Sequence, residues 1–392
     1  MTKMIYLDNA ATSFPKPQCV YLQMDEFYQR CGVNPGRSGY DAALEAEAMV
    51  LATRRLLTQM VNGCDPNYLT FSYNATDSLN MIIQGMCSEG DHVITTNLEH
   101  NSVLRPLYHL KHDGMIDLTY VPFDAKGYID PDDVKKAIRK NTKMVVMTHA
   151  SNVIGTVQPL AAVGRICREA GVRFAVDASQ TAGVVPVDVE AMCVDLVAFT
   201  GHKGLMGPTG IGGSYTGSDV PIRCTKYGGT GVRSAHPFHL EEFPYRLECG
   251  TLNLVGVAGL RAGVEWILKE GMEAIHRREM DLWTTLRDGL ADIDGVTLYC
   301  AAGPENHISV LSFNVDGLEA GDVGTMMDVD HNIACRTGLQ CAPLVHRQMG
   351  TEAIHGTVRL SIGPFNTRED ISAAIGAVRE VAATKKAVKP RQ

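Results

Sequence analysis

Arg173-Phe174-Ala175-Val176-Asp177-Ala178-Ser179-Gln180, followed by Leu196-Val197-Ala198-Phe199-Thr200-Gly201-His202-Lys203-Gly204, decides how this chain is read. Each stretch is a short apolar run that stops at a polar cluster. Runs of this length, apolar at successive positions, suit strands buried on both faces of a sheet. Working outward, Tyr68–Phe71, His92–Thr96 and Met144–Thr148 have the same form. Helical patterns separate several of them. The stretch from Pro159 to Cys167 has proline in its first turn, and Gly171 follows its end. Strands alternating with helices predict a mostly parallel sheet with both faces covered.

In such a sheet, ligands bind beyond the carboxyl ends of the strands. Polar clusters recur there: Asn74-Ala75-Thr76, Glu99-His100, His149-Ala150-Ser151-Asn152, Asp177-Ala178-Ser179-Gln180 and Thr200-Gly201-His202-Lys203. One cluster is a loop. Five on one edge make a site.

Near residue 256 the pattern changes. Helices are expected over Val257–Leu268, Arg278–Ile293 and Glu369–Ala383, and strands over Ile308–Val315 and Thr357–Ile362. The expected fold class is α/β, a large domain over 15–255 built on the mostly parallel sheet. A smaller α+β domain would comprise 256–392, completed by residues 1–14.

Composition narrows the function. The 392 residues carry 45% hydrophobic and 20% charged side chains, ordinary for a globular chain of two domains. The formal net charge of −8 argues against nucleic acid as a partner. The basic tail from Lys385 to Arg391 reads as a solvated end. Residues 1–8 lack an apolar signal core, and no apolar run reaches the roughly 20 residues that span a bilayer. A cytoplasmic, membrane-free protein is expected. Eleven scattered cysteines without Cys-x-x-Cys spacing fit neither a disulfide framework nor a zinc site, so no metal is expected.

The chemistry centres on Lys203. A lysine between glycines after an apolar strand is either a Schiff-base lysine, whose amine must be partly desolvated, or a lysine on a turn. Asp177 at a strand end is either a helix N-cap or a carboxylate with a buried cationic partner, such as a protonated pyridine nitrogen. With Lys203 one strand further on, the cofactor reading gains. Thr76 lies where a strand turns into a helix, and free N–H groups there can cradle a phosphate. Thr200 and His202 offer further donors. His100 can stack on an aromatic ring, or be a plain loop histidine. Asn152 and Gln180 are neutral donors suited to a phenolate oxygen.

These residues resemble the class V aminotransferases, fold type I enzymes of pyridoxal 5'-phosphate (PLP), and within them the SufS-like cysteine desulfurases. Similar segments run from Tyr6-Leu7-Asp8-Asn9-Ala10-Ala11-Thr12 to Val358-Arg359-Leu360-Ser361. The resemblance implies that Lys203 carries PLP and later serves as general base, and that Asp177 pairs with the pyridine nitrogen. It implies Gln180 at the phenolic oxygen, His100 on the ring, and Ala75, Thr76, Thr200 and His202 around the phosphate. Gly250-Thr251-Leu252-Asn253 resembles the family's Gly-Thr-Pro-Asn, in which the threonine reaches the phosphate of a partner subunit. A homodimer is therefore expected.

Desulfuration needs a protein thiolate to accept sulfur from the substrate. Cys341, in Arg336-Thr337-Gly338-Leu339-Gln340-Cys341-Ala342-Pro343, sits where the resemblance expects the nucleophile on a short loop. Leu339-Gln340 replaces the family's His-His pair, which removes acid–base help from those positions. Cys335 has no expected counterpart and reads as a small, buried strand-end residue. Arg359, inside an apolar strand, needs an anion: either the substrate α-carboxylate, as the family implies, or an internal salt bridge. Arg37 is a further candidate at the substrate site. The expected substrate is L-cysteine, with alanine released and a sulfur-acceptor protein beyond. L-Selenocysteine, as for a selenocysteine lyase, and another class V activity are the alternatives.

Overall fold

The computed structural model describes residues 4–35 and 39–387. Arg37 and most of the basic tail lie outside the described residues. The strands are β1 (Ile5–Tyr6), β2 (Leu69–Ser72), β3 (Asp91–Thr96), β4 (Ile116–Val121), β5 (Thr142–Thr148), β6 (Arg173–Asp177), β7 (Leu196–Thr200), β8 (Gly212–Thr216), β9 (Val296–Tyr299), β10 (Val310–Val315), β11 (Ile333–Ala334), β12 (Arg336–Gly338) and β13 (Thr357–Ser361). The helices that follow the first strands are α1 (Gln18–Cys31), α2 (Asp41–Met60), α3 (Ala75–Met86), α4 (Asn101–His112), α5 (Pro131–Ala137) and α6 (Leu160–Ala170). The later ones are α7 (Leu254–Glu270), α8 (Met272–Ala291), α9 (Ala320–His331), α10 (Pro343–Met349) and α11 (Arg368–Ala387).

Seven strands form the main sheet in the order β2-β8-β7-β6-β5-β3-β4. The pairs β7–β6, β6–β5, β5–β3 and β3–β4 are parallel, and β8 alone runs against the rest. The sequence reading passes over β8 because Gly212-Gly213-Ser214 lacks the apolar run that marks its neighbours. The glycine is required: a Cβ on Gly213 would lie 2.5 Å from the Thr70 carbonyl and 2.6 Å from the Phe199 ring.

Alternation along the strands supplies both faces. Val145, Met147, Phe174, Val176, Val197 and Phe199 join a core with residues of α2, α6 and α7. Met144, Val146, Ala175, Leu196 and Ala198 point the other way, into a core with α3 and α4. Helix α6 ends at Gly171, whose φ of 67° closes it in the left-handed conformation.

A second, four-stranded antiparallel sheet has the order β12-β13-β10-β9. Trp283, Phe313, Leu360 and Val378 lie in its core, where α8 and α11 cover it. The first residues of the chain add a short parallel pair, β1 with β11. The boundary placed between 255 and 256 falls within α7. Val257, Leu260 and Val264 of that helix pack into the core of the large sheet. No described helix is long and apolar enough to cross a membrane.

Candidate active site

The parallel strands and β2 all end on one edge, and a cavity of about 340 Å³ opens there. All five predicted clusters line it. Ala75 and Thr76 come from the start of α3, His100 from the start of α4, and Asn152 from beyond β5. Asp177 and Gln180 follow β6, and Thr200, His202 and Lys203 follow β7. Arg359 of β13 and Cys341 close the cavity from the smaller sheet.

Lys203 stands on the segment that joins β7 to β8. It is half-buried and lines the cavity. Burial lowers its pKa to about 8, against an opposing pull from Asp177. An amine held there is a competent nucleophile and base near neutral pH. Asp177 is buried, and both the backbone N–H and the hydroxyl of Ser179 donate to its Oδ1. Oδ2 is left as the oxygen for a cationic partner in the cavity that Asp177 lines.

His100 caps α4: its Nδ1 accepts from Ser102 N at 3.0 Å. That fixes the neutral tautomer with its proton on Nε2. Burial, and then Lys203, lower its pKa to about 4. Capping and cavity lining coexist in this one ring. Ser102, unnoticed in the sequence, joins two predicted residues, with its hydroxyl 2.7 Å from Thr76 Oγ1 and 2.8 Å from His100 Nδ1.

The residues fit PLP on observations of their own. Thr200 Oγ1 and His202 Nδ1 are buried without partners on the cavity wall. Helix α3 begins in the same wall, and the first N–H groups of a helix have no acceptor within it. Together they suit a phosphate. Burial also lowers the His202 pKa to about 4, so it would donate as a neutral ring.

Arg359 is 2% exposed and makes the internal salt bridge that was one of the two alternatives for it. Nη2 donates to Asp8 Oδ1 at 2.7 Å, and Nη1 donates to the Asn152 carbonyl at 2.8 Å. Nε is buried without a partner. Asp8 was legible only as part of the N-terminal resemblance. Gln180 donates to the Ala10 carbonyl at 3.0 Å, so the same N-terminal segment borders the cavity.

Cys341 is exposed and lies in a left-handed conformation with φ 59°. Its carbonyl accepts from Asn101 N at 2.7 Å, at the first turn of α4. Cys335 sits apart, half-buried against the core of the smaller sheet. Burial raises its pKa to about 12, the opposite of what a reactive thiol needs. Thr251 is not brought to the cavity: it borders a separate depression with Tyr73, Asp77 and Lys226. Glu99, in the cluster after β3, has no role legible in the sequence. It is fully buried, accepts from Thr96 Oγ1 and Thr148 N, and burial raises its pKa to about 8.

A mostly parallel sheet carrying an aspartate and a desolvated lysine at neighbouring strand ends defines a PLP enzyme of fold type I. The model of the aminotransferase class-V family matches residues 5–374. A probable cysteine desulfurase of Methanothermobacter thermautotrophicus is 33% identical over 383 residues, 96% of this chain and 94% of that protein. One of Pyrococcus abyssi is 33% identical over 97% of this chain and 94% of that protein. The apo structure of cysteine desulfurase from Thermococcus onnurineus NA1 superposes with a TM-score of 0.91 at 33% identity, covering 97% and 95% of the two chains. The Escherichia coli cysteine desulfurase CsdA, in its S-sulfonic acid form, superposes with a TM-score of 0.87 at 29% identity, with the same coverage. The chain belongs to the aminotransferase class-V family of PLP-dependent enzymes, and its relatives there are cysteine desulfurases.

Proposed function

We propose that this chain desulfurates L-cysteine, passing the sulfur to Cys341 as a persulfide and releasing L-alanine. The observation that carries the proposal is the meeting of Lys203, Asp177, Arg359 and Cys341 in one cavity. When bound, PLP supplies an electron sink that acidifies Cα of the substrate and weakens its Cβ–S bond.

Asp177 would hold the protonated ring nitrogen. Gln180 and Asn152 would meet the phenolic oxygen, and His100 the ring face. Thr200, His202 and the start of α3 at Ala75 and Thr76 would hold the phosphate, with Thr251 supplied by a second subunit of a homodimer. Arg359 would grip the α-carboxylate, and Arg37 would border the same site. Lys203 would take the Cα proton and return protons to carbon. The Cys341 thiolate attacks the substrate sulfur, so the Cβ–S bond breaks as an S–S bond forms. A sulfur-acceptor protein would then discharge the persulfide. The eleven cysteines have no disulfide partners, which supports a reducing, cytoplasmic setting.

Product analysis with L-cysteine and L-selenocysteine side by side tests the proposal. Alanine in one-to-one yield with sulfide, sulfide release depending on reductant, is expected. A keto acid from L-cysteine, or turnover of L-selenocysteine alone, would refute it.

A further inference from the structure

Of the pair that departs from the family pattern beside the nucleophile, Leu339-Gln340, the glutamine is buried. Gln340 is 6% exposed and, like Cys341, is left-handed, with φ 40° against 59°. Two successive non-glycine residues in that conformation need outside restraint. The Gln340 side chain supplies it. Nε2 donates to the Thr357 carbonyl of β13 at 2.7 Å. A carbonyl can only accept, so the amide orientation is fixed and Oε1 faces His346 Nε2 at 2.8 Å. His346 must then carry its proton on Nε2 and accept at Nδ1 from the Thr351 hydroxyl, 2.8 Å away. Gln340, His346, Thr351 and Thr357 are all buried, and the Thr357 hydroxyl adds a longer contact to Gln340 Oε1 at 3.4 Å.

The backbone of Gln340 is held as well. Its carbonyl accepts from Asn152 Nδ2 at 2.7 Å, and the carbonyl of Asn152 accepts from Arg359 Nη1. The loop bearing the thiol is thus tied to the arginine facing the same cavity through one intervening residue.

We propose that Gln340 is a positioning residue for Cys341: its amide, oriented by Thr357 and His346, holds the left-handed turn that aims the thiol at the substrate sulfur. This rests on the reading of Cys341 as the sulfur acceptor. The role differs from the acid–base role open to a histidine, since an amide neither gains nor loses a proton here. It affects sulfur transfer and leaves Cα chemistry at Lys203 alone.

The test compares Gln340→Met, which keeps length and loses both hydrogen bonds, with Gln340→Glu, whose carboxylate cannot donate to Thr357. Both are measured as holoenzymes. L-Alanine binding is followed by cofactor absorbance, Cα–H exchange of L-alanine into D2O reports Lys203, and single-turnover alanine formation from L-cysteine reports sulfur transfer. Sulfur transfer should fall about 10-fold or more in both variants, since a nucleophile misplaced by an ångström can cost that much. Binding and Cα exchange should stay within about twofold, a split that general loosening of the site would not give. Wild-type sulfur transfer in either variant overturns the proposal, as does a parallel loss of Cα exchange. Failure of both variants to hold PLP assigns Gln340 to the fold and overturns it too. Cys341→Ser is run alongside: if it still desulfurates, the reading of Cys341 fails; if it is inactive while the Gln340 variants are normal, only the role of Gln340 fails.

Discussion

Arg359 Nη2 lies 2.7 Å from Asp8 Oδ1, joining β13, the last strand, to the N-terminal segment. The guanidinium donates to Asp8 and to the Asn152 carbonyl, and its Nε is buried without a partner. Arg336 Nη1 stands 3.9 Å from the other oxygen of Asp8, so one carboxylate sits between two arginines that line the cavity.

Arg359→Lys should therefore raise KM for L-cysteine about 10-fold or more and change kcat less. A lysine keeps the charge but has one ammonium where the fork serves Asp8, Asn152 and substrate at once. Steady-state alanine release over a range of L-cysteine measures it. An unchanged KM would take Arg359 out of substrate binding.

Borohydride reduction of the holoenzyme should leave the pyridoxyl label on Lys203, located by peptide mass. The lowered pKa adds a pH signature. The neutral amine is the nucleophile, and it predominates above about 8, well below the usual lysine range. Reloading of apoenzyme with PLP should speed up as pH rises and level off above about 8. Label on another lysine, or a rate still climbing at pH 10, would contradict the role of Lys203.

Cys341→Ser should abolish alanine formation from L-cysteine, because a hydroxyl cannot accept sulfur. The absorbance change on substrate binding should persist, since nothing before sulfur transfer uses the thiol. Persulfide trapped on Cys335 in the native enzyme would overturn the assignment.

Glu99→Gln should flatten the pH dependence of stability. Burial raises the folded pKa of Glu99 to about 8, above its unfolded value. Between about 4.5 and 8 the folded state holds a proton that the unfolded state has released, so stability falls as pH rises through that window. Melting temperatures across pH 5 to 8.5 should fall less steeply in the variant. Parallel curves would show that Glu99 does not titrate with folding.

The chemistry-bearing ends of the strands were legible because each follows a run that local composition marks. Phe174-Ala175-Val176 and Val197-Ala198-Phe199 announce buried strands; Asp177 follows the first directly, and Lys203 lies four residues past the second. Ser102 left no such mark: a serine one turn into a helix looks like any other until Thr76 and His100 arrive beside it. Thr251 was legible as a motif, yet within one chain it stands away from the cavity. That gap is what the proposed second subunit would close.

By itself, the sequence marked most of the buried parallel strands of the large sheet, the edge on which polar residues gather, and Lys203, Asp177 and Cys341 as candidates. These follow from periodicity, punctuation and motif, which are local along the chain. Only the tertiary structure decided that β8 runs against its neighbours, that Asp8 occupies Arg359, and that Gln340 grips Thr357 and His346 behind the thiol. Such contacts join residues as much as 351 positions apart. Hydrogen bonds of that kind depend on a few ångströms of geometry that no spacing along the chain encodes.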